Sequence, residues 1–205
     1  MQNRWLMLPA VIIVVFLLSA GCTSLAPPPG SPSPASPALS QPVDEQTLPS
    51  SPSGAFTIRV ASLDPGSVLP DAYTCKGARE SPNIAWDGVP SGSKSLVLIL
   101  DDPDGLNGSF THWIVYNIPP VSGELARAQP NAKVLANGAQ QGDTSAGSRG
   151  YYPPCPPIGA THRYVFRLYA VDMDITQPTA DRDSIDWALT GHTIAETEFT
   201  TTFKR

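Results

Sequence analysis

Five short runs, AFTIRVAS, KSLVLILDD, THWIVYNIP, RYVFRLYAVD and EFTTTF, carry most of the apolar character of this chain beyond residue 53, and proline, glycine or polar residues bound each of them. Runs this short, alternating or continuous in apolar side chains, read as strands. No long amphipathic helices stand between them, which suggests an antiparallel sandwich rather than a parallel doubly wound sheet. The expected fold is all-β with a few short helices, an antiparallel sandwich of two sheets. The best helix candidate is DSIDWALTGH: Asp183 or Ser184 is placed to cap its start, Ile185, Ala188 and Leu189 share a face, and Gly191 ends it. No internal repeat and no heptad pattern is present.

The segment MQNRWLMLPAVIIVVFLLSAGC has one basic residue, an apolar stretch from Leu6 to Leu18 and small residues before a cysteine. It reads as a signal peptide over residues 1–21. The stretch is shorter than the roughly twenty residues a membrane-spanning helix needs, and Pro9 interrupts it. LSAGC resembles the bacterial lipobox, with Ser19 where leucine is usual; on that reading Cys22 is lipidated and becomes the new N-terminus, and secretory cleavage nearby is the alternative. Stable anchoring by acylation requires more than one chain. Residues 22–53 then form the lipidated cysteine and a proline- and serine-rich linker, a semi-rigid spacer with almost nothing to bury. Residues 54–205 are long enough for one domain with its own core. The chain is expected to be exported and held on the outer side of a cell-envelope membrane.

The formal net charge is −5; without Arg4 of the signal it is −6, and without Asp44 and Glu45 of the linker the domain carries −4. With no block of basic residues, nucleic-acid binding is not expected. Of the three cysteines, Cys75 and Cys155 remain once Cys22 is given to lipid. An even pair in an exported protein favours a disulfide, with two buried free thiols as the alternative. The 27 residues NGAQQGDTSAGSRGYYPPCPPIGATHR show little apolar periodicity, and a loop of that length in a compact domain is usually functional or disordered. Its prolines and tyrosines argue for order.

Strand alternation puts Asp102 on one side with Leu96, Leu98 and Leu100, His112 with Ile114, Tyr116 and Ile118, and His162 with Tyr164, Phe166 and Leu168. Two histidines at strand starts and an aspartate at a strand end point to a shared pocket at the rim of the core. A metal would need His112, His162 and Asp102 to converge as ligands, but no local metal-binding motif supports this, and no metal or other cofactor is expected. Nucleophilic catalysis lacks a G-x-S-x-G motif, and Cys155 lies in a proline run. An acid/base pair of Asp102 and His112 is the remaining catalytic option. A pocket for a phosphate-like anion or a zwitterion fits better, since imidazoles, a tyrosine hydroxyl and loop amides are donors, while Asp102 accepts from an imidazole or meets an ammonium group. Asp101 faces away and is expected to be a solvated rim residue.

The ordered series S-P-x-x-x-W and D-P-D and H-W in SPNIAWDGVPSGSKSLVLILDDPDGLNGSFTHWIVYNIPP, then P-P-x-G-x-x-H-R-Y in GYYPPCPPIGATHRYVFRLYAVD, then GHTIAETEF, resembles the phosphatidylethanolamine-binding protein family, in its bacterial Raf-kinase-inhibitor-like branch. The resemblance covers about residues 56–205. It implies a two-sheet β-sandwich with a pocket at one end for small anions and phospholipid head groups. Matched motif by motif, Asp102, Asp104, His112, His162 and Tyr164 would line that pocket and Pro156 and Pro157 would form one wall. This sequence departs from the family in having Pro153 where glycine is usual, which removes a backbone donor, and in lacking an asparagine in GDTSAG.

A membrane-anchored binding module for a small anionic or zwitterionic ligand, such as a phosphate or a phospholipid head group, is the expected function. The alternative is a protein-interaction module of the kinase- or protease-inhibitor kind, which the resemblance implies only at the level of fold. An enzyme is not expected.

Overall fold

A computed structural model describes residues 54–205 apart from Leu106 and Pro178; the signal peptide, Cys22 and the linker lie outside the described residues. The strands are β1 (Thr57–Val60), β2 (Ile84–Asp87), β3 (Ser95–Asp102), β4 (Phe110–Ile118), β5 (Gly123–Leu125), β6 (Gln140–Gln141), β7 (Thr161–Val171) and β8 (Thr193–Lys204), with one helix, α1 (Arg182–Leu189). They form a three-stranded sheet ordered β1-β2-β5 and a five-stranded sheet ordered β6-β4-β3-β7-β8, antiparallel throughout. This is the two-sheet sandwich expected from the short apolar runs. Each of those runs overlaps a strand, while β2, β5 and β6 are short strands that periodicity did not single out.

The central strand β3 explains the layering. All eight of its residues are buried, because Leu96, Leu98 and Leu100 face the smaller sheet while Val97 and Ile99 face the other way. On the first side they meet Ile58, Val60, Ile84 and Trp86. On the second, Ile185, Ala188 and Leu189 of α1 cover them. Burying each such side chain contributes roughly 1.5–3 kcal/mol, so two apolar faces of one strand hold a sheet, a sheet and a helix together. The helix itself begins one turn-step earlier than the sequence suggested: Asp181, not Asp183 or Ser184, is the cap, its carboxylate accepting from the Ser184 amide at 2.9 Å. Gly191, at φ +79°, follows its last turn.

Two bulges break the pairing of β3 with β4. Leu100 pairs with Trp113 but Asp101 pairs with Thr111, which leaves His112 as an extra residue. A second shift leaves an extra residue near Asn117, which has φ +54° and exchanges two hydrogen bonds with the backbone of Ile175. Strict alternation therefore fails on β4. Ile114 and Tyr116 pack on the helix side, whereas Trp113, Val115 and Ile118 pack between the sheets.

Cys75 and Cys155 are joined in a disulfide, Cα–Cα 5.4 Å, across 80 positions of sequence. Closing a loop of that length stabilises a domain by roughly 4 kcal/mol in the chain-entropy account.

Candidate functional site

β3 ends in two adjacent carboxylates, and alternation sends them to opposite faces of the sheet. Asp101 goes to the helix side. It is not the solvated rim residue the sequence suggested: it is 2% exposed, accepts from the Thr111 hydroxyl at 2.7 Å, and faces Arg182 at 3.2 Å and Arg167 at 3.5 Å. An unpaired carboxylate there would be costly, and the two guanidinium groups account for its burial.

Asp102 turns to the sandwich side and is also buried. One of its oxygens accepts from the Asp104 amide at 2.8 Å, closing a local turn that Pro103 begins. The other accepts from Nδ1 of His162 at 2.7 Å. The aspartate's imidazole partner is thus His162 on β7 rather than His112 on the neighbouring strand. His162, Tyr164, Phe166 and Leu168 share one face of β7, as alternation predicts.

His112 reaches the same side by the bulge, not by alternation. Its ring lies 4.7 Å from that of Phe110 and 5.4 Å, edge-on, from that of Tyr164. Nδ1 of His112 sits 2.8 Å from the carbonyl oxygen of Tyr152, while the Tyr152 amide donates to the His112 carbonyl at 2.8 Å. A carbonyl only accepts, so Nδ1 carries the proton and Nε2 presents a lone pair when the ring is neutral. Burial lowers the His112 pKa below its usual 6.5, and the Tyr152 carbonyl and Asp102 oppose that shift.

These groups surround a cavity of about 590 Å³. Asp102, His112, His162, Pro156 and Pro157 line it, together with Phe110, Tyr152, Ser109, Ser145, Cys155 and Arg205. His112 and His162 each make their hydrogen bond through Nδ1, neither Nε2 bonds to a described residue or is shut off from solvent, and both residues line the cavity. Ser145 is held by Thr111, whose amide donates to its hydroxyl oxygen at 2.9 Å. That leaves the hydroxyl proton free to donate.

Two residues assigned to the lining by motif lie elsewhere. Asp104 is not among the residues around the cavity. The turn closed on Asp102 delivers it to β7, where it accepts from the amide, Nε and Nη2 of Arg163 at 2.9, 3.0 and 2.7 Å. Arg163 holds its carboxyl down at about 2, and the pair ties the turn after β3 to the start of β7. Tyr164 is fully buried behind the His112 ring. Its hydroxyl has no hydrogen-bond partner among the described residues; burial first and the charge of Asp102 second push its pKa well up.

The motif reading did not find Phe110, Tyr152, Ser145 or Arg205. Phe110 was legible in principle, two positions before His112 on the same face. Arg205 follows the end of β8, and only the pairing of His162 with Phe203 brings that end to the cavity. Among the described residues no group of three potential ligands is arranged to hold a metal ion.

The model of the family described as "Phosphatidylethanolamine-binding protein" matches residues 60–204. A UPF0098 protein of Methanothermobacter thermautotrophicus is 44% identical over 139 residues, covering 67% of this chain and 91% of that protein. LppC of Mycobacterium tuberculosis, named as a lipoprotein, is 36% identical over 135 residues, 65% of this chain and 64% of its own length. Among solved structures, a phosphatidylethanolamine-binding protein homologue from Chlamydia trachomatis aligns with TM-score 0.67 at 36% identity, covering 74% of this chain and 98% of that one. YbcL of E. coli, described as a member of the mammalian PEBP family, aligns with TM-score 0.67 at 27% identity over 73% and 98% of the two chains.

The folded His112 pKa lies below the unfolded value of 6.5, so the unfolded chain binds this proton first as pH falls. Its contribution to stability is complete above pH 6.5 and is lost as pH drops below that value toward the folded pKa. Nuclear magnetic resonance titration of the His112 ring is expected to give a midpoint below 6.5; a midpoint at or above 6.5 would contradict this environment.

Proposed function

The chain belongs to the phosphatidylethanolamine-binding protein family, and from that premise we propose that its cavity binds a small anionic or zwitterionic ligand, phosphate-like or head-group-like, on the extracytoplasmic side of a membrane. The observation that carries this reading is the pair of imidazoles. Each is fixed through Nδ1, one by a carboxylate and one by a backbone carbonyl, and each offers Nε2 to the same space.

This arrangement suits an oxyanion that brings or takes up a proton. Nε2 of a neutral His112 accepts from a P–OH or an ammonium group, and a protonated ring donates to an oxygen instead. Arg205 adds a cation at the lining, Ser109 and Ser145 add hydroxyl donors, and the rings of Phe110 and Tyr152 give the cavity an apolar side. A ligand carrying both charges meets Asp102 with one end and Arg205 with the other.

We read the site as one of binding rather than catalysis. Asp102 holds His162 and leaves His112 to a carbonyl, so the acid/base pair considered from the sequence does not form as a contact. The Cys155 sulfur is bonded to Cys75 and is no free nucleophile in this state. Calorimetric titration of the full-length protein with inorganic phosphate, phosphoethanolamine and acetate is expected to show binding. It should weaken about tenfold or more in His112→Ala, a hydrogen bond to a charged group being worth roughly 1.5–3 kcal/mol. Affinity unchanged by that substitution would remove the cavity from the function.

The signal-like N-terminus supports export, and the lipoprotein name of LppC supports reading Cys22 as a lipid anchor. Cell fractionation tests this: the protein is expected with membranes, and Cys22→Ala in the soluble fraction. Equal membrane association of both forms would overturn the anchor.

A further inference from the structure

We propose that the Cys75–Cys155 disulfide is a redox control on the cavity: oxidised, it holds the proline wall and through it the His112 ring; reduced, it releases both. The inference rests on the reading of the cavity as a ligand site and concerns its regulation.

The wall is PPCPP, residues 153–157, and four of its five residues lack an amide proton. A segment of this kind cannot be fixed by donating backbone hydrogen bonds. Its backbone bonds to its surroundings are acceptances: Pro154 takes the Cys75 amide at 3.0 Å and Pro157 the Ala160 amide at 3.0 Å. Pro154 and Pro156 are buried, and the covalent link to Cys75 adds to that packing a fixation that amides supply elsewhere. Its other end is firm ground. The turn at Asp71–Tyr73 receives the buried Tyr151 hydroxyl on the Tyr73 carbonyl at 2.7 Å, and Lys76 reaches the Lys204 carbonyl at 3.2 Å.

The wall is also the mount of the imidazole. Tyr152 immediately precedes it, and its carbonyl sets the His112 tautomer while its amide bonds back to His112. Motion of residues 153–157 thus loosens the group that orients Nε2 toward the ligand. Cys155 is exposed and lines the cavity, whereas Cys75 is half-buried. An external thiolate reaches the Cys155 sulfur; neither cysteine belongs to the apolar clusters that hold the sheets together. Reduction therefore removes a link of the wall without removing any side chain from the core packing.

The reaction is a two-electron exchange with a dithiol reductant. One reductant thiolate attacks Cys155 Sγ, the S–S bond breaks, and Cys75 leaves as a thiolate that takes a proton. The second reductant thiol then displaces Cys155 as a thiol and closes the reductant's own disulfide. Two protons and two electrons pass from the reductant to the protein, and Cys155, the more exposed of the two cysteines, is taken as the point of attack.

The test uses the full-length protein, oxidised and after dithiothreitol, beside Cys75→Ser. Two readouts are taken: phosphate affinity by calorimetry, and hydrogen exchange at the Tyr152 amide with the β3 amides as reference. Reduction is expected to speed Tyr152 exchange about tenfold or more by local opening, with Tyr152 remaining faster than the β3 amides, which exchange only on global unfolding, and to weaken phosphate binding about fivefold or more through lost preorganisation. Cys75→Ser should match the reduced form and ignore dithiothreitol. Reoxidation should restore the native values. Equal Tyr152 exchange in both states overturns the proposal, as does Tyr152 exchange in the reduced form no faster than that of the β3 amides, which would mean that Tyr152 opens only with the whole domain. If the oxidised protein binds no phosphate, the ligand reading fails by itself, and Tyr152 exchange still decides whether the disulfide controls the wall.

Discussion

A strand buried on both faces cannot end in two carboxylates unless each finds its own donors, and the whole architecture around the cavity follows from meeting that condition at Asp101 and Asp102. On the helix side the answer is Thr111 with Arg182 and Arg167. On the sandwich side it is the Asp104 amide and His162. Removing one partner of a buried ion pair typically costs about 3–5 kcal/mol, so both sets constrain what surrounds them. Arg182 fixes where α1 begins, and His162 fixes where β7 must start. A sheet that ended in leucine would have needed neither and would have left no polar cavity at its rim.

The second constraint is the bulge at His112. An extra residue in β4 lets Thr111 serve Asp101 on one face while His112 and Trp113 both turn to the other. The Tyr152 carbonyl then fixes the imidazole, and the proline-rich stretch after it closes one side of the cavity. Both histidines are held through Nδ1 by the protein itself, the kind of preorganisation on which the proposed binding of a small polar molecule would draw. The Tyr164 hydroxyl, buried behind His112 without a partner among the described residues, marks the same place as one where polarity has been kept inside for a purpose other than packing.

Much of this was legible in the sequence. The apolar runs gave the antiparallel sandwich, since runs too short for helices and divided by proline and glycine have few other solutions. The even pair of cysteines left in a domain expected to be exported pointed to the disulfide. Alternation rightly placed Asp102 with Leu96, Leu98 and Leu100 and His162 with Tyr164, Phe166 and Leu168, because β3 pairs with β7 without a shift from Ser95 to Asp101 and β7 with β8 from Thr161 to Ala170. It failed for His112, because a bulge has no signature in a single sequence and shifts every residue after it to the opposite face. Asp104 was misplaced for a related reason: its motif is local, but its partner Arg163 lies 59 positions away. Arg205 depended on strand register, and the cap at Asp181 on which of three polar residues, Asp181, Asp183 or Ser184, first left the helix.

The account stands on the claim that the two Nε2 atoms face one ligand site. A crystal structure of the protein grown with phosphoethanolamine tests this most directly. The account predicts the ligand in the cavity with an oxygen or the ammonium nitrogen about 3 Å from Nε2 of His112 or His162. A ligand seated elsewhere on the molecule, with only water in the cavity between the imidazoles, would contradict it.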